Sequence, residues 1–264
     1  MIIMILTNSQ LYRKDNWTVK ESYVVNSIYE YDISKANISI LYELGIIDDL
    51  TYNTLYVADK RYREVKVGLM QKNREISKAL SEGFKFFRQR LFETNQIQDT
   101  EVVSIKKDAV FVTRPLMHTD FGRVHFVQKN KYGLMIKSGA LEVYYGYDSV
   151  TQDHLIDIKG IRDSKLEAYD SYFVYILISV LYLVSTRSYK DALGTLNSFI
   201  SKYLALQLPV SAYREFNKTY MYRIKNSAYY CDEVFQEHVH QLDTSYNLQL
   251  LMYLKVVLLN MYYE

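Results

Sequence analysis

Proline is nearly absent from this 264-residue chain, which carries only Pro115 and Pro209. Proline interrupts helix interiors, so its scarcity fits long helices joined by short connections. There is one cysteine, Cys231, which excludes an intramolecular disulfide and fits a reducing compartment. A strong charge of one sign is also missing. The formal net charge is +2, so global charge does not mark a nucleic-acid binder. The longest apolar run, Tyr172 to Val184, falls short of the roughly 20 residues that a membrane span needs and reads as a buried helix. The opening Met1–Leu6 is too short for a signal peptide and lacks a basic flank. The expectation is a soluble, cytoplasmic protein with no membrane association. No Gly/Ser/Pro linker, internal repeat, nucleophile elbow, P-loop, dinucleotide fingerprint or zinc-ribbon spacing is present.

Hydrophobic content of 49% with 23% charge is ordinary for a globular chain and argues against extended disorder. Tyrosine occurs 27 times. Tyrosines can stack on bases or pack half-buried surfaces, but a coding sequence rich in A and T would enrich Tyr, Asn, Ile and Lys without a functional reason.

Glu21 to Glu30 mixes β-branched and aromatic residues and predicts a strand leading into Asp32. Ile38 to Leu44 has helical spacing with Gly45 as a stop. Asp48, Asp49 and Thr51 supply capping chemistry for a helix through Tyr56. Tyr62 to Thr94 reads as a long helical stretch with breaks near Gly68 and Gly83. It is also basic: ten Lys/Arg, among them Lys66, Lys72 and Arg74, face only Glu64, Glu75 and Glu82 between residues 60 and 90. Such a run is either a solvated helix face or a phosphate-contacting one.

Glu101–Ile105 and Ala109–Thr113 flank Lys106-Lys107-Asp108 and predict a hairpin with Asp108 near its tip. Further strands are expected at 123–128, 133–137, 141–145 and 155–158. Helices follow at about 165–187, 190–205, 210–224, 230–240 and 245–261. Strands in the middle with helices segregated to the far end is the α+β pattern. The last helix is apolar on more than one face, which calls for core packing or a protein partner. Gln236-Glu237-His238-Val239-His240 lies near Cys231, but His-x-His in a helical context favours a structural role over a metal site.

Phosphoryl transfer by two metal ions needs carboxylates from separate strands that converge on the same cations. Asp32 at a strand end and Asp108 at a hairpin tip meet that need, although a helix cap and a turn residue would explain each by itself.

The text around them resembles the palm domain of DNA polymerases. Glu30-Tyr31-Asp32-Ile33-Ser34-Lys35-Ala36-Asn37 resembles motif A, with Ser34 matching the family A form and Ser39-Ile40 the family B form. Lys107-Asp108-Ala109-Val110-Phe111-Val112 looks like family B motif C. Lys129-Asn130-Lys131-Tyr132-Gly133 is similar to the family B Lys-x-Tyr motif, and Lys159-Gly160-Ile161 to the segment leading from palm to thumb. The resemblance covers about residues 21 to 165. It departs in the hairpin, where Lys106 and Lys107 stand beside a single acid, and in the spacing of Asp32 and Asp108, 76 positions (108 − 32), which leaves little room for fingers.

The resemblance implies an antiparallel-sheet palm-like core over residues 1–165 with reduced fingers at about 50–95, then a helical thumb-like region over 166–264. It implies Asp32 and Asp108 as catalytic, Mg2+-binding carboxylates. Lys131, Tyr132 and Lys107 would contact nucleic acid. Lys66, Lys72 and Arg74 would grip the triphosphate, with Asn37 at the sugar-gating position. Two other readings stay open. One is a non-catalytic palm derivative of a phage or mobile element that binds nucleic acid or a polymerase. The other is an unrelated protein-interaction module.

Overall fold

The computed structural model describes residues 10–160, 171–213, 221–224, 227–230 and 245–263. The chain is α+β, with an antiparallel sheet among the described residues, as the segregation of strands and helices predicts. It forms two compact units, one of residues 1–20 and 27–131, the other of residues 21–26 and 132–264.

The first unit carries β1 (Asn16–Thr18), most of β2 (Tyr23–Ile33), helices α1 (Ala36–Glu43), α2 (Asp49–Val57), α3 (Lys60–Met70) and α4 (Arg74–Asn95), β3 (Val102–Lys106), β4 (Ala109–Val112), β5 (Asp120–Phe121) and the first half of β6 (Val124–Ser138). Strand order is β1-β3-β4-β2-β6, with β5 paired to β6. Side chains alternate across a strand. In β2 this sends Tyr31 and Ile33 into the core and leaves Glu30 and Asp32 on the other face. In α4, Leu80, Phe84, Phe87 and Leu91 recur at helical spacing and bury against Ile38, Ile40 and Leu41 of α1 and Ile105, Val110 and Val112 of the β3–β4 hairpin. Burying each such side chain is worth about 1.5–3 kcal/mol.

The helix ends follow their capping chemistry. Asp48 accepts the Thr51 N–H at 2.8 Å and Asp59 the Tyr62 N–H at 2.9 Å. Gly45, at φ +68°, closes the turn after α1 through a bond from its N–H to the Tyr42 carbonyl at 2.8 Å. The expected break at Gly68 or Gly83 lies instead at 71–73, where Asn73 accepts the Glu75 N–H at 2.9 Å and starts α4. Gly83 serves packing. The Ile40 side chain occupies the space that a Cβ would take, so the missing side chain lets α1 and α4 approach closely.

The second unit holds the second half of β6, β7 (Leu141–Tyr147), β8 (His154–Lys159), α5 (Ser171–Ser185), α6 (Tyr189–Leu204), β9 (Met221–Ile224), β10 (Ser227–Tyr230) and α7 (Ser245–Tyr263). Its core joins Ile136, Val143 and Ile158 of the strands to Leu181 of α5, Leu196 and Phe199 of α6, and Leu254 and Leu258 of α7. This shared core explains why the division falls at 131/132 rather than at 165: β7 and β8 pack with the helices that follow them. Residues 221–224, expected as helix, pair as a strand with 227–230. Met-Tyr-Arg-Ile and Ser-Ala-Tyr-Tyr are both rich in aromatic and β-prone residues, and Val210–Tyr213 forms only a 3₁₀ turn. In α7, Leu251, Leu254, Val257, Leu258 and Met261 are buried while Met252 and Val256 are exposed, so core packing accounts for most of its apolar character. Met1–Leu6, Cys231 and the Gln236–His240 segment lie outside the described residues, as does the helix expected at 230–240 beyond Tyr230.

Candidate functional site

β2 brings Asp32 to the end of its strand, and the two-residue turn Lys107-Asp108 joins β3 to its neighbour β4. Asp32 stands opposite Ala109 in the β2–β4 register, and the Ile33 N–H donates to the Asp108 carbonyl at 3.1 Å. The backbone therefore fixes the two aspartates as neighbours. Both line one open cavity of about 400 Å³.

Other parts of the first unit complete the cavity wall. Ser34, Lys35 and Asn37 come from the β2–α1 connection and the first turn of α1. Oδ1 of Asp32 is shielded from solvent, as is Oδ1 of Asn37, which accepts no hydrogen bond. An acceptor in that state calls for a donor or a cation. From α3 come Lys60, Arg63, Glu64 and Val67, spaced i, i+3, i+4 and i+7, which is one helical face. Val67 is buried and sets the rotation of α3, and the rotation brings Lys60 and Arg63 to the cavity. Lys129 arrives from β6.

Four cations (Lys35, Lys60, Arg63, Lys129) thus stand with three acids (Asp32, Glu64, Asp108) around the cavity. Lys60 pairs with Glu64 at 3.8 Å, and Arg63 donates from Nη1 to the Ala58 carbonyl at 3.0 Å. Lys35 has a left-handed backbone, φ 49°. Its Nζ donates to the Tyr56 carbonyl at 2.6 Å and lies 3.2 Å from the centre of the Tyr56 ring. These are local, partly exposed contacts that an anion of higher charge can outcompete.

The other expected site residues are distributed as follows. Neither lysine beside Asp108 lines the cavity. Lys106 Nζ donates to Asn16 Oδ1 and Thr18 Oγ1, each at 3.0 Å, and Lys107 Nζ lies 5.1 Å from the Phe84 ring centre. Lys66 on α3, Lys72 in the α3–α4 connection and Arg74 at the start of α4 are exposed and lie outside the cavity. Lys131 is exposed, with Nζ 5.5 Å from the Tyr29 ring centre. Tyr132 is only 1% exposed and packs on Tyr144, so its ring offers no outer surface. The cavity cations on α3 were readable in principle, because Val67 is the apolar residue that defines the face shared by Lys60 and Arg63.

Among the described residues no three His, Cys, Asp or Glu side chains cluster as a metal site. Asp32 and Asp108 are two cavity carboxylates that could hold a magnesium ion bound with a polyphosphate. Such an ion takes one or two protein carboxylates and fills the remaining positions with phosphate oxygens and water. Among the described residues no helix is long and apolar enough to cross a membrane.

Compared with known proteins, residues 5–260 match the family described as Bacteriophage PBS1 gene 130 protein. No curated protein matches the chain.

Proposed function

The chain belongs to the Bacteriophage PBS1 gene 130 protein family, and from that phage setting we propose that it is a compact nucleotidyltransferase of polymerase-palm type, working on nucleic acid in the host cytoplasm. The observation that carries this reading is the sharing of one open, cation-flanked cavity by Asp32, from a strand end, and Asp108, from the adjacent hairpin turn.

In this reading Asp32 and Asp108 would hold magnesium together with the phosphates of an incoming nucleotide, with Asn37 at the sugar-gating position beside them. The metal, when bound, supplies positive charge to the phosphate oxygens. Lys60 and Arg63 take the outer phosphates and fix their orientation. Arg63 presents a planar fork and Lys60 a point charge, so the arginine sets geometry more strictly. Lys129 and Lys35 neutralise charge that builds on the leaving pyrophosphate. Lys66, Lys72, Arg74, Lys107 and Lys131 lie outside the cavity and serve the backbone of a bound strand. The test is magnesium-dependent nucleotide incorporation on a primed template by wild type, Asp32→Asn and Asp108→Asn. Incorporation by wild type and its loss in both variants is expected. Incorporation that is indifferent to Asp32→Asn would sink the assignment.

A second reading, a non-catalytic nucleic-acid-binding palm, is favoured by one specific observation: the hairpin turn holds a single acid, preceded by Lys106 and Lys107. It predicts strand binding that weakens steeply with salt and survives Asp32→Asn, with no incorporation by wild type.

A further inference from the structure

Arg88 of α4 is completely buried (0% exposed), although a guanidinium is costly to remove from water unless its donors are paired. Each of its nitrogens has a partner. Nε donates to the Tyr12 carbonyl at 2.8 Å, Nη2 to Asp15 Oδ1 at 3.0 Å, and Nη1 to the Lys107 carbonyl. The Lys107 N–H in turn donates to the Asp15 carbonyl at 2.7 Å. Lys107 is therefore held at both peptide groups, one by Arg88 and one by the segment that carries the arginine's counter-ion.

This double grip falls where the backbone needs it. Lys107 has φ 49°, a left-handed conformation that is unfavourable for a residue with a Cβ. The carbonyl gripped by Arg88 belongs to the peptide bond between Lys107 and Asp108, so its orientation sets the direction in which Asp108 leaves the turn. Burial pulls the Arg88 guanidinium below its ordinary pKa, while the charges of Asp15 and Asp108 work to keep it protonated. The cation is thus within electrostatic range of the carboxylate that it helps to aim.

We propose that Arg88 and Asp15 form a positioning pair that holds the Lys107–Asp108 peptide so that the Asp108 carboxylate faces the cavity. The pair acts through the turn and touches no substrate. The proposal rests on the reading of Asp108 as a metal-site carboxylate.

The experiment measures Mn2+ affinity by electron paramagnetic resonance for wild type, Asp108→Asn, Arg88→Lys and Asp15→Asn, and for Arg88→Lys and Asp15→Asn each combined with Asp108→Asn. Trp17 fluorescence and circular dichroism report folding in parallel. Partners that orient a metal ligand typically contribute 10–100-fold in affinity, so Arg88→Lys is expected to weaken Mn2+ binding by roughly that factor, with Asp15→Asn in the same direction. Both effects should vanish in the Asp108→Asn background, which general loosening of the fold would not produce. If Arg88→Lys fails to fold, Asp15→Asn decides, because the Asp15 side chain is half exposed and its loss spares the core. Wild-type affinity in folded variants, or equal losses with and without Asp108, overturns the positioning pair alone. A wild type that binds Mn2+ no better than Asp108→Asn overturns the metal reading of the cavity and the pair with it.

Discussion

Replacing Gly83 by alanine should destabilise the first unit, although the same change in most helices stabilises. A Cβ at Gly83 would overlap Cγ2 of Ile40 and lie 3.1 Å from Cδ1 of Leu44, both from the α1 segment. Ile40 is fully buried and β-branched, so it has no free rotamer into which to retreat. The helices must separate or Ile40 must leave its rotamer, which costs typically about 1–3 kcal/mol. Against this, alanine gains about 1 kcal/mol over glycine in a helix interior. The net expectation is a loss of up to about 2 kcal/mol, from the competition of those two effects. Gly68 in α3 provides the control. A methyl group there would meet no neighbouring atom within 4 Å, so Gly68→Ala should gain up to about 1 kcal/mol. Urea unfolding followed by Trp17 fluorescence suits the test, because Trp17 is the sole tryptophan and packs on the core of this unit. If Gly83→Ala raises the midpoint as much as Gly68→Ala does, the close approach of α1 and α4 is wrong.

Three other outcomes are expected. Asp48→Ala removes the cap of α2 and should lower the midpoint in the same unfolding assay, with Asp48→Asn largely sparing it. Burial pushes the Glu101 carboxyl up, but the bonds from Arg114 Nε at 2.6 Å and the Gln98 N–H at 2.8 Å outweigh it and hold the group below its ordinary value. Its contribution should be full above the unfolded carboxyl range of about 4.3 and fade as pH falls through the lower folded value, so a Glu101→Gln deficit seen at neutral pH should close in acid. Lys60→Ala with Arg63→Ala should weaken nucleoside triphosphate binding by calorimetry. Charge-assisted bonds are worth about 1.5–3 kcal/mol each, so roughly a tenfold loss or more is expected, while Lys72→Ala leaves it unchanged. Equal losses in both would remove the cavity from the binding reaction.

The parts of the site that the sequence spelled out are those governed by local chemistry. A β-branched and aromatic run announced the strand into Asp32, paired runs announced the hairpin around Asp108, and aspartate and glycine marked the ends of α1 and α2. What stayed hidden depends on phase and packing. A count of basic residues singled out Lys66, Lys72 and Arg74, but the rotation of α3 about Val67 selects Lys60 and Arg63 for the cavity. Two glycines suggested helix breaks, yet Gly83 answers a contact with Ile40, a residue 43 positions earlier (83 − 40). β6 runs unbroken through the polar stretch Gln128–Lys131, where two strands were expected. Asn130 there donates to Glu30 at 2.6 Å, a contact that no local pattern reveals. The Tyr12–Asp15 segment carried no motif, and its role rests on two carbonyls, which every residue has, together with the lone carboxylate of Asp15.

The chain passes between the two units at 20/21, 26/27 and 131/132, and the last two junctions fall inside β2 and β6. Heredity has to respect that path. A single crossover between related phage genomes cannot exchange one unit for a cousin's, because either half of the gene would carry part of both. A stop codon after residue 131 would likewise leave residues 21–26 without the unit to which they belong. The expected record of variation in such a gene is therefore substitution spread along the whole reading frame, with the two units inherited together.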